Sequence, residues 1–293
     1  MELQKFIERT TSLGILGVKI TQNGVDIAQH LWDDECRRNV YSVSKSFTSA
    51  AVGIAVKEGL LSLEEKLVDA FPEDIPEEPG EYLGQATVRD LLTMCLGQEK
   101  SELMGSQRPL YQEEDWVKMS LAFPFTSRPG EKFLYNNVGP YLAGVLMQRR
   151  AGCDLISYLT PRLFKPMGIT RPTWETDPRG YTFGAGGLFL TMSEMHKLGL
   201  LYLQGGLWNG KRLLPEEWVM ESTRRQVSTD REEDYGYGYL FWGGPYGSFR
   251  ADGKYSQLSV ILRDKNAVIS TVAECREGKL LMNAVFEELY PQL

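Results

Sequence analysis

The sequence predicts an α+β fold in which one antiparallel sheet, drawn from both ends of the chain and flanked by helices, carries a mostly helical insertion. Three observations predict it. Two alternating apolar runs flank an Asn23-Gly24 turn near the start, helix signals fill the middle, and three strand-like runs precede a closing helix. With 293 residues, 42% hydrophobic and 24% charged, the chain is long and apolar enough for a substantial core, which sets aside disorder and fibrous repeats.

Ile15 to Ile20 and Val25 to Leu31 read as a β-hairpin, because Asn-Gly supplies the left-handed backbone that a tight hairpin turn needs. A helix is expected from about Ser42 to Glu58, closed by Gly59, with Ala50, Ala51, Val52, Ile54 and Ala55 facing a core. Thr87 caps a helix over Val88 to Cys95. Asn137 or Gly139 opens one that reaches Arg150, and Asp154 caps another that ends near Gly168. After Gly184-Ala185-Gly186-Gly187, a Thr191-x-x-Glu194 capping box opens an amphipathic helix to Leu203, and Pro215 suits the first turn of the next. Tyr235 to Trp242, Ser256 to Leu262 and Ala267 to Ala273 read as strands. Asp264-Lys265-Asn266 is the turn between the last two, and Lys279 to Leu289 is the closing helix. No internal repeat or long linker appears. The expectation is a single catalytic domain over 1–293, with an α/β lobe of 1–58 and 185–293, a helical lobe of 59–184, and a cleft where they meet.

Composition removes several function classes. The charge of −7, from 32 Lys and Arg against 39 Asp and Glu, is spread along the chain apart from the Pro/Glu-rich stretch Pro72 to Glu81, within which Glu73 to Glu81 reads as an exposed loop or a lid. No Lys/Arg block is present, so no nucleic-acid partner is expected. The start Met1-Glu2-Leu3-Gln4-Lys5 lacks the pattern of a signal peptide and no run is long enough to cross a bilayer, so a cytoplasmic protein without a membrane partner is expected. Cys36, Cys95, Cys153 and Cys275 lie apart without metal-ligand spacing and read as buried, reduced thiols. The two histidines, His30 and His196, fit surface or structural roles, and no Gly-x-Ser-x-Gly is present. Histidine-held metal and Ser-His-Asp chemistry are thereby set aside, and no cofactor is implied. The sequence carries no signal of oligomeric state.

Without histidine, a hydrolytic serine needs lysine or tyrosine as its base. Ser42-Val43-Ser44-Lys45 is the only Ser-x-x-Lys in the chain. At ~1.5 Å and ~100° per residue, Lys45 stands about 4.5 Å up the same helix face as Ser42. The helix N-terminus favours an oxyanion beside Ser42 and disfavours a second positive charge on Lys45. Bringing a lysine from about 10.4 to near neutrality costs roughly 4 kcal/mol in differential solvation, which burial at a lobe interface supplies. On this motif alone, a capping serine and a solvated lysine explain the pattern as well. Tyr135-Asn136-Asn137, the only Tyr-x-Asn, follows a Pro129-Gly130 turn. A tyrosine near a lysine ammonium can be held as phenolate and shuttle the serine proton, and an asparagine can hold the lysine and donate to a substrate carbonyl.

Here the chain resembles the serine β-lactamase and penicillin-binding-protein superfamily, in particular its class C β-lactamase and esterase branch. Tyr41 to Thr48 looks like the nucleophile box, Thr87 to Thr93 like the helix after it, and Pro129 to Asn137 like the second box. Gly186 to Thr191 and Ala251 to Gln257 resemble the later landmarks, so the likeness runs in order over about residues 12 to 290. The resemblance implies that Ser42 forms an acyl-enzyme, that Lys45 and Tyr135 share the proton transfers, and that Asn137 orients Lys45 and the substrate amide. It further implies an oxyanion hole from the backbone N–H groups of Ser42 and of Lys254, just after Gly253 on a strand edge. The third box departs from the pattern. Where Lys-Thr-Gly, or His in first position, is usual, this chain has Ala251-Asp252-Gly253. The glycine remains to allow close substrate approach. Arg250 and Lys254 are candidates for the missing cation or are solvated charges, and Asp252 is expected to repel an anionic substrate.

Small esters or amides are the expected substrates, with carboxylesterase, D-amino-acid peptidase or amidase, and weak β-lactamase in falling order. The alternative is a binding or sensor module of the same fold that does not turn over. Tyr235, Tyr237, Tyr239, Phe241 and Trp242 read as a strand packed on a helix or as the lining of an acyl pocket, and Cys95 reads as core.

Overall fold

The computed structural model describes residues 1–293. Its main sheet has six strands in the order Val25–Leu31, Ile15–Gln22, Ala267–Ala273, Gln257–Leu262, Phe249–Gly253 and Trp242–Gly243. Every neighbouring pair is antiparallel, and the first hairpin joins the last strand directly, with Gln22 opposite Ala267 and Ile15 opposite Ala273. The fold is therefore the expected one. Asn23 (φ 51°) and Gly24 (φ 76°) take the left-handed backbone that turns the first hairpin, and Asn266 (φ 46°) does the same before the last strand.

The last strand is buried along its whole length and serves two cores. Val268 and Val272 face the larger one, which holds the helix Met192–Leu203, while Ala267, Ile269 and Ala273 face a smaller one with Phe6 and Leu281 of the terminal helices. This is the period-two division of a pleated strand. The helix Val43–Lys57 is buried all round from Val43 to Ala55, because it runs between the sheet edge Phe249–Gly253 and the helix Val138–Ala151. Over that span it has no solvent-exposed polar face, and its polar residues Ser44, Lys45, Ser46, Thr48 and Ser49 are buried. Gly139 lets Val138–Ala151 lie against Val88–Thr93: a Cβ there would stand 2.4 Å from the Leu91 carbonyl oxygen.

The helix caps follow local chemistry. Asp154 accepts from the Ser157 N–H, Thr191 and Glu194 form the reciprocal box, and Thr87 is paired in the same way with Asp90. The helix after Asp154 spans Leu155–Leu159 and continues as a wider π-turn, Thr160–Phe164. A short helix, Gln4–Thr10, and the strand Phe249–Gly253 add to the elements expected. No helix is long and apolar enough to cross a membrane.

Two expectations are corrected and a third is refined. Tyr235 to Phe241 is no strand, and only Trp242–Gly243 pairs into the sheet: Gly236 (φ 80°) and Leu240 (φ 64°) bend the path, and the backbone N–H groups of Tyr237, Tyr239 and Leu240 donate to Val227, Ser222 and Leu92. The segment folds on itself so that Tyr237, Tyr239, Phe241 and Trp242 are all buried. Of the four free thiols only Cys95 and Cys275 are buried, whereas Cys36 is exposed and Cys153 intermediate. The stretch Glu73 to Glu81 is largely exposed, and it is anchored by buried Asp74, which pairs with Arg149 at 2.5 Å.

His30 packs edge-on against Trp32 at 4.4 Å. His196 is buried between helix and sheet, with Nε2 2.7 Å from Thr21 Oγ1 and Nδ1 2.8 Å from Ser270 Oγ. Burial lowers its pKa to about 3, so it stays a neutral structural ring.

Candidate active site

The segment that leads to Ser42 is shaped before its helix begins. Asn39 Oδ1 accepts the Tyr41 N–H at 2.7 Å, and Tyr41 sits at φ 48°, a conformation that costs a tyrosine energy. Ser42 then occupies the cap position of Val43–Lys57 without making a side-chain cap bond. Ser44 takes the fastening role instead: its Oγ donates to the Tyr41 carbonyl at 2.5 Å and accepts from the Leu188 N–H at 3.1 Å. The Ser42 hydroxyl is left for other partners.

Lys45 is 1% exposed. Its Nζ donates to Ser42 Oγ at 3.0 Å, Asn137 Oδ1 at 2.7 Å and the Ala185 carbonyl at 2.7 Å. Three donors meet three neutral acceptors, and no carboxylate stabilises the ammonium. Burial lowers the pKa from 10.5 to about 7, with the nearby charge of Arg108 acting in the same direction.

The second box divides labour in the same way as the first. Asn136 Oδ1 caps the helix through the Gly139 N–H at 3.1 Å, so Asn137 is free to hold Lys45 while its Nδ2 donates to the Leu103 carbonyl at 2.9 Å. The Tyr135 ring lies 5.1 Å from Lys45 Nζ and stacks on Trp242 at 5.5 Å with 24° between planes. Burial pushes the Tyr135 phenol well above its ordinary 10, and its hydrogen bond with Ser42 only moderates that rise. The phenolate expected at this position is thus disfavoured: Lys45 gives up its proton more readily than Tyr135 does.

The third box also differs in its reason for glycine. A Cβ on Gly253 would stand 2.3 Å from the Val40 carbonyl oxygen, so the close approach is to the segment that leads to Ser42. The Lys254 side chain is exposed, with Nζ 4.9 Å from the Tyr255 ring centroid. The backbone N–H groups of Ser42 and Lys254 donate to no other backbone carbonyl. Arg250 is buried, not solvated: Nε donates to Asp252 Oδ2 at 2.9 Å and a terminal N–H to the Gly243 carbonyl at 2.7 Å. Asp252 is accordingly a paired charge rather than a bare one.

Ser42, Tyr135, Asn137, Gly253 and Lys254 line one cleft of about 800 Å³, with Lys45 beneath Ser42. All six residues singled out from the sequence therefore meet. The sequence reading missed Arg108, which stands over the Phe183 ring at 4.4 Å and pairs with Glu175 at 3.2 Å. It also missed Arg231 and Arg276 on the wall, and the Ala185 carbonyl under Lys45. A backbone acceptor leaves no side-chain signal. Of the five clustered aromatics only Trp242 lines this cleft; Tyr237 packs behind it against Phe133 at 5.4 Å.

A family model described as Beta-lactamase matches residues 16–280. The 6-aminohexanoate-dimer hydrolase of Paenarthrobacter ureafaciens is 22% identical over 260 residues, covering 84% of this chain. An uncharacterized protein of Alkalihalophilus pseudofirmus is 24% identical over 229 residues, or 71% of this chain. The matches span 65% and 61% of the length of those two relatives. The solved structure of a penicillin-binding protein from Bacillus halodurans superposes with a TM-score of 0.76 at 17% identity, covering 98% of this chain and 99% of that one.

Proposed function

The chain belongs to the beta-lactamase family, and on that premise we propose that it is a serine hydrolase that cleaves small esters or amides through an acyl-enzyme on Ser42. The observation that carries this reading is the Lys45 site: a buried amine with only neutral partners, 3.0 Å from a serine hydroxyl at the floor of a cleft.

Near neutral pH a large fraction of Lys45 is the free amine, ready to take the Ser42 proton as Oγ attacks the substrate carbonyl. The oxyanion that forms is met by the N–H groups of Ser42 and Lys254, with the positive end of the Val43–Lys57 helix behind Ser42. Asn137 keeps the amine aimed at Ser42. Tyr135 is a phenol and serves as the proton donor to the leaving oxygen or nitrogen, refilled from the Lys45 ammonium. Water then repeats the sequence in reverse to release the acid. The name of the Paenarthrobacter relative supports a hydrolase and brings amides into view beside esters. Carboxylesterase, D-amino-acid peptidase or amidase, and weak β-lactamase are the narrower activities in order.

Ser42→Ala is expected to abolish covalent labelling by a fluorophosphonate and turnover of a short-chain nitrophenyl ester. Either one retained at the wild-type level would contradict the assignment. A burst of one acyl equivalent with no further release would replace the hydrolase by a trapping module.

A further inference from the structure

Beside the cleft lies a second cavity of about 690 Å³. The two share Arg231, Trp242, Asp252, Ser256 and Gly278 in their walls. The charges of this junction are unequally matched, in a chain whose net charge is −7. Most carboxylates around it are occupied: Asp252 by Arg250 at 2.9 Å, Glu232 by Lys279 at 3.2 Å and Glu287 by Arg9 at 2.6 Å. Arg231 enters no ion pair. Lys254 and Arg276 on the primary cleft are likewise without a carboxylate partner, and against these three cations stand two carboxylates outside any ion pair, Asp230 and Glu233.

Arg231 is also held in place. Its guanidinium carbon lies 3.7 Å from the Trp242 ring centroid, and Trp242 stacks in turn on Tyr135. The loop that carries it is closed by Asp234, whose Oδ1 accepts from the backbone N–H groups of Thr229 at 2.8 Å and Gly236 at 3.0 Å. A planar guanidinium anchored by its face presents its N–H edge, the geometry that grips a carboxylate through two parallel hydrogen bonds. The chamber wall is mixed, with an apolar patch of Pro245, Tyr246, Met282 and Phe286 among charged residues such as Glu233, Lys279 and Glu287, and Tyr246 is braced by stacking on Tyr290 at 4.3 Å.

We propose that Arg231 reads a carboxylate on the substrate, and that the chamber beyond it takes an apolar or aromatic arm of the same molecule. The proposal rests on the Ser42 reading of this site and narrows its substrates to esters or amides that carry an acid group. It reverses the expectation, drawn from Asp252, that anions are excluded.

The test measures binding to full-length Ser42→Ala protein, so that turnover does not enter. Calorimetry compares 4-phenylbutyrate with 4-phenylbutyramide, which differ only in the charged group. The carboxylate is expected to bind at least tenfold more tightly, less so as salt is raised, because a solvent-facing ion pair is screened. Adding Arg231→Gln should remove the preference, and Arg231→Lys should keep only part of it. Equal affinities, no binding of either ligand, or a preference that survives Arg231→Gln would overturn the proposal. The two readings separate cleanly: if the wild type hydrolyses neutral esters, Ser42→Ala does not, and both ligands bind equally, the serine assignment stands and Arg231 loses its role.

Discussion

Two buried bases, Lys45 and His196, are each about 1% exposed, and burial lowers the pKa of both. Their surroundings separate them. His196 is enclosed between a helix and the sheet, satisfied by the hydroxyls of Thr21 and Ser270. Lys45 is satisfied too, but one of its three partners is a serine that opens onto the cleft. Loss of charge by burial therefore marks an interior position. On the proposed reading, function begins where the neutralised base touches a serine hydroxyl that a substrate can reach.

The contrast is sharpest under substitution. Lys45→Met, similar in volume, should lower kcat/KM for a nitrophenyl ester by about 10³-fold or more while the protein still melts cooperatively, because it removes the base of an acyl-transfer pair. His196→Leu should do the reverse. Leaving Thr21 and Ser270 without their ring partner should cost about 2–4 kcal/mol of stability, read by denaturant unfolding, with kcat per folded molecule unchanged. An inactive His196→Leu enzyme that is fully folded, or an active Lys45→Met one, would break the comparison.

The two bases act on stability with the same sign but in different pH windows. His196 has a folded pKa of about 3 against 6.5 for the free group, so the unfolded state binds the extra proton. Its contribution is complete above pH 6.5 and is lost as the pH falls from 6.5 towards 3, by at most about 5 kcal/mol. Lys45, lowered to about 7 from 10.5, gives stability that rises with pH between those values. Unfolding followed across pH 4 to 10 should show the acid slope flattened in His196→Leu and the alkaline slope flattened in Lys45→Met.

A smaller effect is expected at the third box. Gly253→Ala places a methyl group against the Val40 carbonyl and should cost about 1–3 kcal/mol, together with a loss of kcat as the strand edge moves from Ser42. Normal stability in that variant would show that the two segments part easily.

Much of this was legible in the sequence because it is local. Asn23-Gly24, Asp154 and the Thr191–Glu194 pair act within a few residues, and the three-residue spacing of Ser42 and Lys45 follows from helix geometry alone. The four-residue range from Asn39 to Ser42 was harder, since the Tyr41 conformation is imposed by folding. Tyr235 to Trp242 misled because its aromatic alternation imitates a strand, while the bend at Leu240 comes from tertiary packing. The Ala185 carbonyl, Arg108 and Arg231 reach the site from distant segments and carry no spacing signal. Arg250 and Asp252 were readable in principle, since residues two apart on a strand share a face. That pair changes the charge a substrate meets.

The rate at which Ser42 is labelled by a fluorophosphonate as pH is varied tests the role of Lys45 most directly, with mass spectrometry to locate the adduct. The account predicts a rate that climbs through a single ionisation near pH 7 and levels above it, and that collapses in Lys45→Met. A rate that ignores pH between 5 and 9, or labelling of Ser42 that persists in Lys45→Met, would contradict it.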